Sequence, residues 1–164
     1  MLNYARILLF MNSNQSSKCV HSSALLQECL EALNVQLLPE QESDNLSALF
    51  SQTVPMTKWG KVDWDKIHSK IVVGYDPNQI MPALERLLKQ SVDKTVFVEW
   101  STYDIPVIKA DLDMIIRFFD DVISVSLEKF IFNLMQGYII EVRFSGEITV
   151  GLVTPVEMRK NDEV

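Results

Sequence analysis

A chain of 164 residues, 48% hydrophobic and 23% charged, has the composition of an ordinary folded protein and is long enough to bury a substantial core as one domain over 1–164. Its 22 acids outweigh 15 bases for a net charge of −7, which argues against binding nucleic acid because phosphates would be repelled. The cysteines, Cys19 and Cys29, are too few for a disulfide framework, and no segment approaches the roughly 20 apolar residues of a membrane-spanning helix.

Tyr4–Met11 reads as a first strand or a short buried helix, because an apolar run this short has no decisive period. The part Ile7–Met11 follows Arg6 but is too short for a signal-peptide core, and no small-residue cleavage pattern follows, so the expected location is cytoplasmic. Asn12–Lys18 is a polar loop. Ser22 or Ser23 then caps a helix through about Leu33, with Leu26, Cys29, Leu30 and Leu33 as its apolar stripe. Cys29 is expected to be a buried thiol within that stripe. After the acidic connector Pro39–Asp44, a short helix is expected over Asp44–Ser51. Gln52–Ser69 is irregular and contains WGKVDWDKI, with Trp59 and Trp64 set among charges. Ile71–Val73 suggests a strand and Asp76-Pro77-Asn78 a turn. Pro82 starts a helix carrying Leu84, Leu87 and Leu88 and ending near Gln90.

Val96–Trp100 is a strand by its β-branched and aromatic content. Asp111–Asp121 carries the clearest helical pattern, with Leu112, Ile115, Ile116 and Phe119 on one face. Ile123–Phe132, Gly137–Phe144 and Glu147–Val153 then form three strands joined by short turns, hence antiparallel. Between the last two, Ser145-Gly146 is expected to form a two-residue turn. Glu157–Val164 is a charged tail expected to fray. The fold class is α+β, with N-terminal and central helices packed on one face of a C-terminal antiparallel β-meander. Its last strand, Glu147–Val153, is an edge that could pair with a partner or with a second copy.

The motifs of common chemistries are missing. The glycines at 60, 74, 137, 146 and 151 form neither GxGxxG nor GxxxxGK[ST]. His21 and His68 have no zinc-ligand spacing to the cysteines, so no metal or other cofactor is expected. His21 beside Ser22 and Ser23 lacks the elbow that exposes a nucleophile. Acidic residues crowd the stretch Glu99, Asp104, Asp111, Asp113, Asp120, Asp121 and Glu128, against only Lys109 and Arg117. On one helix Asp120 and Asp121 point about 100° apart, which suits a solvated or protein-binding face better than a metal site. Trp59 and Trp64, five residues apart, either both cover the edge of the core from a long loop or one of them is an exposed contact residue, since Trp is favoured at binding hot spots.

The order WGKVDW, VFVEW, FFDDVISVS and GYIIEVRFSGEITVGLV resembles immunity proteins of contact-dependent growth inhibition and related polymorphic toxin systems, over roughly Trp59 to Val153. The resemblance implies a non-enzymatic, cytoplasmic bacterial protein that binds and neutralises the C-terminal toxin domain of a cognate secreted effector, commonly a nuclease with a basic surface. On that expectation Asp104, Asp113, Asp120, Asp121 and Glu128 form the toxin-binding patch together with Trp59 and Trp64, and Glu99 and Glu141 join it if their strand faces are open. The alternatives are a small metal-dependent enzyme assembled from scattered carboxylates, and a ligand-binding or adaptor module.

Overall fold

The computed structural model describes residues 23–101 and 104–156; the readings of Tyr4–Met11, Asn12–Lys18, Cys19, His21, Ser22 and the tail Glu157–Val164 lie outside them. One six-stranded sheet organises the rest: β1 Lys70–Gly74, β2 Thr95–Trp100, β3 Ile108–Asp111, β4 Lys129–Asn133, β5 Tyr138–Val142 and β6 Ile148–Leu152. The spatial order is β1-β6-β5-β4-β2-β3, and every neighbouring pair is antiparallel. The class is α+β as expected, with a sheet larger than its C-terminal meander. The helices are α1 Ser23–Leu33, α2 Glu40–Thr53, α3 Ile80–Leu88, α4 Leu112–Arg117 and α5 Phe119–Ser124.

Both faces of the sheet are covered, not one. On one face Cys29 and Leu33 of α1, Ile80 and Leu84 of α3, and Leu112, Ile115, Phe119 and Val122 of α4 and α5 pack on Val98, Ile131, Ile140 and Val150. The Cys29 thiol is fully enclosed there, and burial, with the Asp121 charge as the lesser cause, pushes it up to about 11. On the other face Phe50 and Val54 from α2, followed by Val62, Trp64 and Ile67, cover Phe130, Phe132 and Ile139. Phe50 stacks tilted against Phe130 and Phe132, with centroids 5.3 and 4.8 Å apart. Burial on both sides explains why β4 and β5 are apolar almost throughout rather than alternating.

Several local expectations change. The helix read over Asp111–Asp121 is two helices broken at Phe118 (φ −110°, ψ 37°). Asp111 remains extended and caps α4 by accepting from the Asp113 and Met114 amides at 2.9 and 3.3 Å. Val122 and Ile123 close α5, so the following strand begins only at Lys129. The β5–β6 turn centres on Phe144-Ser145, one residue earlier than expected. The Gly146 amide donates to the Arg143 carbonyl at 2.8 Å, and Gly146 takes the left-handed φ of +87°. That register leaves Phe144 outside the strand and 74% exposed. Finally, β6 is internal, paired on both sides, and the sheet edges are β1 and β3.

Candidate functional site

The sheet face covered by α2 also carries a short hairpin. Met56 and Val62 form an isolated antiparallel bridge, and the Thr57 amide donates to the Lys61 carbonyl at 2.7 Å. Gly60, at φ +72°, lets the loop close as its amide donates to the Thr57 carbonyl at 3.1 Å. The Thr57 hydroxyl accepts from the amides of Trp59 and Lys61. The tip is thereby tied down with Trp59 77% exposed, and the Lys58 ammonium sits 4.8 Å from its ring centroid.

What roots the hairpin is a carboxylate inside the sheet layer. Glu141 of β5 is fully buried, accepting from the Val62 amide at 3.0 Å and from the Trp64 indole Nε1 at 2.6 Å. Arg143 Nε lies 3.6 Å from the same carboxylate. Trp64 is therefore the buried, structural residue of the pair, with 9% of its surface exposed. Its ring lies on β6, where a Cβ added to Gly151 would come within 2.6 Å of Trp64 Cζ3. Lys70 Nζ adds a bond to the Trp64 carbonyl.

Between the hairpin, α2 and the ends of β2 and β4 runs a groove of about 1390 Å³. Its apolar wall is made by Phe50, Met56, Leu127, Phe130 and Phe144, with Trp59 at the rim. Glu40, Asp44, Glu99, Asp104 and Glu128 bring carboxylates to it, against the cations Lys58 and Lys61. Glu99 is held above the usual carboxylate range by burial, a hydrogen bond from Ser47 opposing the shift. Its Oε2 and the Oε2 of Glu128 are buried without a hydrogen-bond partner. Lys61 approaches Glu128 Oε1 only loosely, at 3.4 Å. Among the described residues, no three His, Cys, Asp or Glu side chains converge to hold a metal ion, and no helix is long and apolar enough to cross a membrane.

This arrangement, a tied-down aromatic tip beside an acid-lined groove on a rigid sheet, suits recognition of a protein. Comparison with known families agrees: the family described as CdiI immunity protein, EcoliA0-like, matches residues 23–151. The chain belongs to that family. A search of curated proteins finds no match. CdiI immunity proteins neutralise a cognate toxin, so the resemblance drawn from WGKVDW, VFVEW and the final hairpin is confirmed at the level of family.

Within this CdiI-family chain the acidic residues singled out from sequence divide into two groups. Asp104 and Glu128 line the groove together with Trp59. Asp113, Asp120 and Asp121 sit on α4 and α5, in the helical layer on the opposite face of the sheet. Asp113 is paired with Lys94 at 2.6 Å, which also raises the lysine, mainly through that hydrogen bond and then through the charge. Asp121 is half-buried near Cys29. Glu141 turns inward and Glu99 reaches the groove. Sequence reasoning passed over Glu40, Asp44 and the structural task of Glu141. The signal for Glu141 was present: it is the lone charge in the otherwise apolar strand YIIEV.

Proposed function

We propose that this chain binds the toxin domain of its cognate secreted effector through the groove, with Trp59 as the aromatic anchor and Asp104 and Glu128 as charged contacts, and so blocks the toxin. The observation that carries the reading is the meeting of Trp59, Asp104 and Glu128 around one groove, from segments far apart in sequence, in a member of an immunity family. An exposed aromatic beside an acidic wall has the chemistry of a hot spot for a basic partner. The toxin is a nuclease on this reading, because a surface evolved to hold phosphates presents the cations that an acidic groove complements. Complementary charge also raises the capture rate towards roughly 10⁸–10⁹ M⁻¹s⁻¹. Asp113, Asp120 and Asp121 would add long-range attraction without direct contact. Such a role requires no cofactor, no turnover and no nucleic acid, and it would be exercised in the cytoplasm.

The test is a pull-down with the C-terminal domain of the large reading frame encoded immediately upstream, followed by titration of variants. Trp59→Ala should weaken binding by about 2 kcal/mol, near 30-fold, while Asp113→Asn leaves the affinity within a factor of two to three. Equal affinity of Trp59→Ala and the parent would move the interface off the groove.

A further inference from the structure

The floor of the groove carries a more specific feature than its overall charge. Glu99 lies on β2 directly opposite Phe130 of β4, and the Ser101 amide donates to the Glu128 carbonyl at 3.1 Å. Glu128, the residue before β4, is thus placed diagonally across from Glu99 of β2. Each has one oxygen engaged, Glu99 with Ser47 and Glu128 with Lys61. Each also has an Oε2 that is shielded from solvent and has no donor. An unsatisfied buried acceptor is costly, and two of them on residues that line one groove form a receptor lacking its donors.

We infer that Glu99 and Glu128 form a seat for a single arginine side chain of the partner, whose guanidinium bridges the two carboxylates at the base of the groove. This rests on the reading of the groove as the toxin-binding surface and names what it recognises there. The planar fork of five N–H donors reaches two carboxylates at once, which the point charge of a lysine does less well. Guanidinium is also more weakly hydrated than ammonium, so less is lost on entering a groove walled by Phe50 and Phe130. Occupation requires the two carboxylates to turn about their terminal χ angles towards the groove they line. Lys61, half-exposed and loosely held, gives way.

The probe is the peptide acetyl-Gly-Arg-Gly-amide, compared with its citrulline and lysine counterparts, titrated into the full chain while side-chain carboxylate resonances are followed by NMR. The expected result is a saturable shift at Glu99 and Glu128 with the arginine peptide, about tenfold weaker for lysine and lost for citrulline. Glu99→Gln and Glu128→Gln should each abolish it, with Asp113→Asn as the unaffected control and thermal melts confirming that all three fold. Equal shifts with citrulline or lysine, shifts spread over Asp113 and Asp120, or self-association of the free chain that Glu128→Gln dissolves would each overturn the assignment. The upstream toxin domain separates this failure from that of the broader reading. Full affinity in the Glu99→Gln/Glu128→Gln double variant, with loss in Trp59→Ala, overturns the arginine seat and the contact at Glu128 but keeps the groove as the interface. Full affinity in both variants overturns the groove as well.

Discussion

Removing the Glu141 carboxylate tests the account of how the hairpin is held. The side chain accepts two hydrogen bonds inside the protein, from Val62 N at 3.0 Å and Trp64 Nε1 at 2.6 Å. Each charge-assisted bond contributes about 1.5–3 kcal/mol. Glu141→Leu keeps the volume but leaves two buried donors with no acceptor. Part of that loss is offset because the carboxylate no longer has to be desolvated, so the expected cost is about 3–5 kcal/mol. Arg143 adds little, since its Nε stands 3.6 Å from the carboxylate without making a hydrogen bond. Glu141→Gln retains one acceptor and sets an amide N–H₂ against the other donor, for about 2 kcal/mol. For a chain of this size each kcal/mol moves Tm by about 2–4 °C, so the leucine variant should melt about 10 °C lower. Urea denaturation followed by tryptophan fluorescence and far-ultraviolet circular dichroism gives the free energies. Adding Trp64→Phe to Glu141→Leu removes one orphaned donor and should recover about 1 kcal/mol. A Glu141→Leu protein as stable as the parent, or a double variant with no recovery, would refute the reasoning.

Two further outcomes follow from local geometry and charge. Gly151→Ala would place a methyl 2.6 Å from Trp64 Cζ3 and 3.1 Å from Ile67 Cγ2, so it should cost about 1–3 kcal/mol in urea denaturation, with Trp64 emission changed. Glu99→Gln should stabilise the protein at neutral pH and not in acid. Its carboxyl is raised in the folded state, so the folded protein holds that proton more tightly than the unfolded chain does, and the parent loses stability as pH rises from the unfolded value through the raised one. Melts from pH 3 to 8 should therefore show the two proteins converging towards low pH, and a constant gap across the range would contradict the assignment.

The strands that could be read in advance were those whose residue types suffice alone. VFVEW and YIIEV form strands through β-branched and aromatic content, and the antiparallel pairing of the final hairpin needs only a short turn. The break at Phe118 was hidden for a physical reason. Leu112, Ile115 and Phe119 all enter one core, so the apolar stripe continues across two helices and reports the buried face rather than backbone continuity. Strand IKAD is too short to show a period, yet the pairing of Val96 with Ala110 and of Phe97 with Lys109 holds it on the sheet. The groove was not readable at all. It depends on α2 crossing to the second face of the sheet, which brings residues 40–61 against 99–130, and no local pattern encodes that choice. Trp59 and Trp64 separate for a related reason: the first sits beside the positive φ of Gly60 at a loop tip, and the second finds the buried carboxylate of Glu141.

The buried carboxylate and the exposed tip are mechanically one unit, which leads to a last expectation. Trp59 can serve as an anchor only if its position is fixed before contact, because ordering a loop on binding subtracts from affinity. The hairpin is fixed by its own bonds around Thr57 and, at its return strand, by Val62 on Glu141. Glu141 has no exposed surface and cannot touch a partner. Glu141→Gln should nevertheless weaken toxin binding about three- to tenfold, the effect of losing roughly 1 kcal/mol of preorganisation. The loss should fall on dissociation, leaving the association rate near that of the parent, because the surface charges that steer encounter lie elsewhere. Surface plasmon resonance at two salt concentrations separates the two rates. An unchanged dissociation rate, with Glu141→Gln measurably destabilised, would show that the Glu141 bonds support the fold without positioning Trp59.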